Sequence, residues 1–274
     1  MVALVDIDSL FYKAAYMLDH PEFVASKGLS HLEGEELASH LAEFAADRLE
    51  TMLNNILIDV SKDENGIEIS KVEIYVTACK NSVRKQIYPE YKIKRVPNLI
   101  VNCLRSLYIF RGDAMFSDEW EADDLIADRA RELGEFGCII ISIDKDLTTL
   151  GGFRYDFYCK PSMKDSEGNV IERYPPKGLT YTPKFEAKRF LAKQICIGDA
   201  TDNIKGLPNY GEKKAEKDFK DVTTDFGLKK KVISLYKKYL GESYECYADE
   251  LKKNFRLVFL GKLLTPTLQI DNNN

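Results

Sequence analysis

Short apolar runs that stop on carboxylates constrain this chain more than any other feature. Val2-Ala3-Leu4-Val5 leads into Asp6 and Asp8, and the run from Ile139 to Ile143 leads into Asp144 and Asp146. An apolar stretch ending at Ile197 and Gly198 leads into Asp199 and Asp202, while Glu121, Asp123 and Asp124 open a helix-like stretch. The short runs read as buried strands. Acidic groups gathered this closely repel one another and destabilise the fold unless something positive sits among them. A hard divalent cation such as Mg²⁺ or Mn²⁺ is the partner that suits many oxygens. The pattern predicts a metal site assembled at strand ends from distant parts of the chain.

Length and composition narrow the classes. The 274 residues are enough for one large domain or two small ones, each with its own core. No apolar run reaches the length of a membrane span, and no basic segment precedes the first apolar run as it would in a signal peptide. Cys79, Cys103, Cys138, Cys159, Cys196 and Cys246 form no CxxC pair, as expected of reduced core cysteines in a cytoplasmic protein. His20, His31 and His40 lack ligand spacing to any cysteine, which argues against zinc and against histidine acid–base chemistry. The net charge of −5 does not by itself suggest a nucleic-acid binder. The charge is segregated, however. Lys80, Arg84, Lys85, Lys92, Lys94 and Arg95 crowd one segment, and Lys205, Lys213, Lys214, Lys217 and Lys220 another. Both can present basic surfaces to phosphate.

Periodicity predicts strands over residues 2–7, 74–76, 138–143 and 153–158. It predicts a long amphipathic helix over 35–60, a turn at 63–66, and a helix over 99–110 with a strand at its end. A further helix is expected to start at 117–119, capped by Asp118, and to run to about Gly134. Strands alternating with helices imply an α/β fold with a mostly parallel sheet. Beyond about residue 180 apolar strands stop. Residues 184–197 are helical, a glycine-punctuated turn comes next, and lysine-rich helices run to 264. The expected division is a sheet domain over 1–180, a helical subdomain over 181–264, and a polar tail over 265–274.

Each motif has a plainer reading beside it. Asp6 sits where ligands bind in open parallel sheets, although a helix cap nearby, with Asp8 well suited to it, is the simpler role. Glu121 and Asp124 share a helix face, and Asp123 points to an adjacent one. Acids in a first helical turn are favoured by the dipole, but three exceed what that explains. Asp144 and Asp146 point to one side of a persisting strand, or line a loop if the strand has turned. Gly206 and Gly211 flank an apolar–proline turn that reads as a helix–hairpin–helix. There glycine permits close approach of a DNA phosphate, with Lys205, Lys213 and Lys214 adding contacts. Arg84, Tyr91, Lys92 and Arg95 lie in a cationic loop that includes an aromatic, which suits a frayed nucleic-acid end.

Taken in order, these motifs resemble the 5′ nuclease family: phage 5′–3′ exonucleases, flap endonucleases and the 5′-nuclease domain of bacterial DNA polymerase I. Glu121-Ala122-Asp123-Asp124 looks like the family's acidic helix start. Asp144-Lys145-Asp146-Leu147 looks like its strand-end pair, and Gly198-Asp199 with Asp202-Asn203 like its last acidic pair. Residues 206–211 are similar to its helix–three-turn–helix, and Pro89-Glu90-Tyr91-Lys92 with Arg95 to its basic segment near the scissile phosphate. The resemblance implies a PIN-like sheet, two Mg²⁺ (or Mn²⁺) ions, a K⁺ ion at the hairpin turn, and hydrolysis of phosphodiesters near 5′ ends. Asp6, Glu121, Asp123 and Asp144 are the implied inner ligands. Asp124, Asp146, Asp199 and Asp202 then hold the second ion or act through water. Lys92 stabilises charge on the phosphoryl group, supported by Arg84 and Arg95, and Tyr91 contacts DNA. Substrates would be 5′ flaps, nicks and duplex ends of DNA, with RNA–DNA hybrids a further candidate. The protein would act as a monomer in the bacterial cytoplasm, encoded by a phage or a bacterium, with no membrane partner. Where the family carries a further acid after the second strand, this chain has Thr77-Ala78-Cys79-Lys80.

Two other functions share some of these signals. A PIN-type ribonuclease acting on single strands needs the carboxylates but not the hairpin. A protein that binds branched DNA without cleaving it keeps the hairpin but would retain the carboxylates only at a cost.

Overall fold

A computed structural model describes residues 1–62, 67–159, 163–164, 170–172 and 176–262, with backbone alone at 163–164 and 170–172. The expected turn at 63–66 and the polar tail lie outside these residues.

The chain opens with β1 (Val2–Asp6), α1 (Ile7–Ala15), α2 (Pro21–Ser26) and the long α3 (Gly34–Ser61). Next come β2 (Lys71–Tyr75), the short α4 (Val83–Ile87), α5 (Leu99–Arg111) and α6 (Ala122–Leu133). β3 (Cys138–Ile141) leads through a 3₁₀ turn (Lys145–Leu150) into β4 (Gly152–Cys159), the short β5 (Met163–Lys164) and β6 (Val170–Glu172), and β7 (Pro176–Thr182). The remainder is α7 (Lys184–Ile197), a two-strand ribbon of β8 (Gly198–Asp199) and β9 (Ile204–Lys205), then α8 (Glu212–Phe219), α9 (Asp225–Leu240) and α10 (Tyr244–Val258).

The main sheet has the order β2-β1-β3-β4-β7. Its first four strands are parallel and β7 is antiparallel. Alternate side chains of a strand face opposite sides. Thus Ala3, Val5, Ile139 and Ile141 pack with α1, α3 and α5 in one core. Leu4 and Ile140 pack with Ala122, Ile126 and Leu147 in a second core on the other face. Burial on both faces explains why these strands read as unbroken apolar runs. A third core joins α7, α8, α9 and α10 around Cys196, Phe219 and Tyr236. Among the described residues no helix is long and apolar enough to cross a membrane.

The chain passes from β1 to β2 on one side and then back across to β3 on the other, so the strand order reverses between β1 and β3. In open α/β sheets, crevices form beyond the carboxyl ends of strands at such a point. Asp6 ends β1, and Asp144 lies just beyond β3.

Three local expectations are corrected. No strand forms directly at the end of α5: Gly112 ends the helix in the left-handed region at φ 73°, and a single parallel bridge joins Met115 to Tyr75. The next helix starts at Ala122, not at 117–119, because Ser117 Oγ accepts the backbone N–H groups of Glu119 and Trp120 and closes a tight turn. Asp118 therefore caps nothing, and Glu121 occupies the cap position. Strands also continue past the expected change of texture, because β7 reaches Thr182 and pairs with β4.

Candidate active site

Beyond the β1–β3 crevice the chain brings together carboxylates from four segments. Asp6 caps α1, accepting the Asp8 N–H at 3.2 Å, so the cap is Asp6 and not Asp8. Its other oxygen accepts Ser9 Oγ at 2.6 Å and Ser142 Oγ at 2.7 Å. Asp144 caps the 3₁₀ turn, accepting the Asp146 N–H at 2.8 Å. Asp123 lies in the first turn of α6, and its carboxylate accepts no hydrogen bond among the described residues.

Charge is poorly balanced on this side. Burial, and then the neighbouring Asp8 and Asp144, push Asp6 up to about 6 despite its two serine hydrogen bonds. Burial, with repulsion from Asp6 and Asp144, raises Asp123 well above the ordinary carboxylate range, and Lys92 offsets this in part. Asp146 rises to about 7, through burial first and then through Asp144 and Asp199.

The opposite side is rich in cations. Lys92 Nζ lies 3.0 Å from Glu121 Oε2 and 3.7 Å from Asp202 Oδ2. Arg95 donates to Asp202 Oδ1 at 2.6 Å. The Tyr91 hydroxyl meets Glu121 Oε2 at 2.9 Å and Asp202 Oδ2 at 3.1 Å. Burial works to raise Glu121, but Lys92 and Arg84 overcome it and hold the carboxyl below its usual value. Asp199 is likewise held down against burial by Lys145, 3.2 Å away. The loop carrying these cations is fastened to the β8–β9 segment, with the Lys92 N–H donating to the Asp202 carbonyl and Asn203 Nδ2 to the Glu90 carbonyl.

Four expected site residues sit in unexpected places. Arg84 is buried, with its guanidinium forked onto Asp124 at 2.6 and 2.7 Å. It also donates to Glu121 and to the carbonyls of Leu257 and Phe259. Asp124 is engaged by Arg84 and by the Gly261 N–H, so service as a metal ligand, expected directly or through water, would require it to leave them. Arg84 is equally enclosed away from any phosphate. Tyr91 is 3% exposed and packs in the helical core, so it offers no stacking face to a base. Gly206 needs to be glycine for an internal reason, since a Cβ there would lie 1.9 Å from the Ile197 carbonyl oxygen. Gly211 differs: it precedes α8, is exposed, and a Cβ there would meet nothing within 4 Å. Lys205, Lys213 and Lys214 are exposed as expected.

Periodicity gave no hint of several partners. Ser142 and Gln194 contact Asp6 and Asp146 respectively. Thr77, standing where a further acid was expected, accepts the Ala122 N–H at 3.0 Å through its hydroxyl, and its own N–H donates to Asp8 at 2.8 Å. Arg105 pairs with the other Asp8 oxygen. Thr77 thus ties the end of β2 to the start of α6. The Asp-x-x-Ser spacing of Asp6 and Ser9 was readable as a cap, whereas Gln194 and Arg105 left no sequence signal.

Among the described residues, no three His, Cys, Asp or Glu side chains stand close enough to hold a metal ion as they are. The donor chemistry nevertheless suits a hard cation. The donors are carboxylate oxygens, and Asp6, Asp123 and Asp146 carry repulsion that nearby cations do not cancel.

Fold and carboxylates together describe an α/β protein with an acidic crevice at the topological switch point. No family model matches the chain. In sequence it is 29% identical over 223 residues to DNA polymerase I of Bacillus caldotenax, a match covering 78% of this chain and 23% of that protein. It is 28% identical over 156 residues to the 5′-3′ exonuclease of Buchnera aphidicola, covering 54% of this chain and 51% of that one. The chain thus spans about a quarter of the polymerase and half of the exonuclease. In structure it is similar to the T5 D15 protein co-crystallised with metal ions, with TM-score 0.54 and 16% identity, covering 94% of this chain and 88% of that one. Its homologues are DNA polymerase I and a 5′-3′ exonuclease, so the resemblance to the 5′ nuclease family holds across the sequence and not only in its motifs.

Proposed function

We propose that this chain is a divalent-metal-dependent 5′–3′ exonuclease and structure-specific flap endonuclease. The observation that carries the reading is the convergence of Asp6, Asp123, Asp144 and Asp146 beyond the sheet, faced by a loop bearing Lys92 and Arg95. Homology to a 5′-3′ exonuclease supports the same class.

Asp6, Glu121, Asp123 and Asp144 would hold one Mg²⁺ or Mn²⁺, and Asp146, Asp199 and Asp202 a second. What such ions supply when bound is activation of the attacking water and neutralisation of charge on the leaving oxygen. Loading requires carboxylates to release the cations that now hold them: Lys92 from Glu121, Arg95 from Asp202, and Lys145 from Asp199. Lys92 and Arg95, freed in this way, donate to the scissile phosphate. They trade one anionic partner for another, so charge balance is kept as substrate arrives. The Arg84–Asp124 pair acts from behind, fixing the helix that carries Asp123.

The segment from α7 through α8 would act as the helix–three-turn–helix, with a K⁺ ion at its turn. Gly211 leaves the N-terminus of α8 open to a duplex phosphate, and Lys213 and Lys214 add charge there. Residues 1–180 would form the catalytic unit and 181–264 the DNA-binding unit of a cytoplasmic monomer. Substrates are DNA with 5′ flaps, nicks or duplex ends, and RNA–DNA hybrids.

The test is to incubate 5′-labelled flap, nicked, hybrid and single-stranded substrates with Mg²⁺ or Mn²⁺ and to read product lengths. Asp123→Asn and Asp144→Asn should abolish cleavage while DNA binding survives. Full-rate cleavage by either variant would overturn the assignment. Single-strand cleavage unaffected by replacing Lys213 and Lys214 would point instead to a single-strand ribonuclease.

A further inference from the structure

Gln194 lies near the C-terminal end of α7 and reaches across to the 3₁₀ turn. There its amide nitrogen donates to Asp146 Oδ1 at 2.7 Å. The side chain is buried, with 6% of the residue exposed, and its amide oxygen has no hydrogen-bond partner among the described residues. A buried oxygen left in this state carries a desolvation penalty, and folded proteins relieve such groups with water or an ion.

The surroundings restrict what can relieve this one. Asp146 takes the nitrogen, and the charges that act on Asp146 include the carboxylates of Asp144, Asp199 and Asp202. Ionised carboxylates accept hydrogen bonds and donate none. Lys145, a cation that acts on Asp146, already pairs with Asp199 and is largely exposed. When Asp146 is ionised, as it must be to hold a cation, reversing the amide would set its oxygen against a carboxylate, so the ionised state fixes this orientation. What remains is water or a cation. A neutral oxygen is well suited to a hard cation here, because it adds a ligand without adding negative charge to a crowded cluster. The same helix delivers Asp199 five residues later, after Gly198 turns the chain at φ 75°.

We propose that Gln194 Oε1 is a ligand, direct or through one water, for a divalent cation held with Asp146 and Asp199, and that its amide nitrogen orients Asp146 for that role. The proposal rests on the metal-dependent reading above and adds a neutral donor to the all-carboxylate set.

Mn²⁺ titration of the full chain, followed by calorimetry and by electron paramagnetic resonance of free Mn²⁺, tests it without recourse to activity. The wild-type chain should bind two ions. Gln194→Met, which keeps the length and loses the oxygen, should weaken one of them by about 10–100-fold and leave the other in place. Gln194→Glu restores an oxygen and should bind at least as tightly as wild type, while melting lower in EDTA because it faces Asp146. A Gln194→Met chain that melts lower but binds both ions normally would show a purely structural residue and overturn the proposal. If that variant does not fold, Gln194→Glu decides, and tenfold weaker binding would overturn it. Absence of Mn²⁺ binding by the wild type would remove both the proposal and the reading beneath it, whereas normal variant binding removes the proposal alone.

Discussion

Replacing Arg84 separates the two roles that a cation beside this cluster can play. If Arg84 contacted substrate, its loss would weaken DNA binding and leave the fold intact. The structure gives it five hydrogen bonds instead: two to Asp124, one to Glu121, and one each to the carbonyls of Leu257 and Phe259. The side chains of the pair are 6% and 2% exposed. Breaking a buried pair by removing one partner costs about 3–5 kcal/mol, because the other charge stays behind unpaired. Among the described residues Asp124 keeps only the Gly261 N–H, and Glu121 keeps Lys92 and Tyr91, so Asp124 bears most of the loss. At about 2–4 °C per kcal/mol for a chain near this size, Arg84→Met should melt roughly 10 °C lower than wild type. The assay is thermal unfolding at low and high salt, paired with a double-mutant cycle using Asp124→Leu. The double variant should recover part of the loss, since two apolar residues leave no orphaned charge. A melting point within about 2 °C of wild type, with weakened DNA binding, would refute the reasoning and return Arg84 to the substrate.

Three further predictions use the same logic. Asp123→Asn removes a charge that repels Asp6 and Asp144, so in EDTA this variant should unfold later than wild type by of order 1 kcal/mol, and earlier unfolding would mean the repulsion is absent. Thr77→Val strips the hydroxyl that accepts the Ala122 N–H and should cost about 1 kcal/mol, while Thr77→Ser should cost nothing measurable; equal losses would argue against a contribution from that hydrogen bond. Asp6 and Asp146 are raised to about 6 and about 7, so the metal-free fold holds their protons more tightly than the unfolded chain does. Their contribution is therefore greatest at low pH and is lost as pH rises from about 4 through 7. Melting in EDTA should accordingly fall between about pH 4 and 7, Mg²⁺ should abolish the fall, and calorimetry in buffers of different ionisation enthalpy should show protons released on Mg²⁺ binding near about pH 6.5. A melting point flat or rising in EDTA would contradict the assigned repulsion.

The fold was legible where one period dominated. The run from Val2 to Val5 and that from Ile139 to Ile141 are buried on both sheet faces, so each residue there had to be apolar. Local chemistry misled where a side chain had a nearer partner than the one periodicity assumes. Ser117 closed a turn on Glu119 and Trp120, which delayed α6 until Ala122. Tyr91 looked like an exposed aromatic among cations. Its ring belongs to the helical core, and its hydroxyl belongs to Glu121 and Asp202, 30 and 111 residues away. Gly206 looked like a door for phosphate and proved to be a contact with Ile197.

Sequence alone determined that carboxylates would stand at the ends of buried strands, because short apolar runs must enter a sheet and the charged residues after them must leave it. It also carried the resemblance to the 5′ nuclease family, because five modest motifs kept their order. Tertiary structure decided which carboxylates remain available. Asp124 and Asp6 look alike along the chain. Asp124 meets a guanidinium from α4, whereas Asp6 meets two hydroxyls and three other acids, Asp8, Asp123 and Asp144. That difference comes from partners 40 and 136 residues distant, brought together by helix packing and strand order. Charge compensation is a property of three-dimensional neighbours, and no periodicity along a chain encodes it.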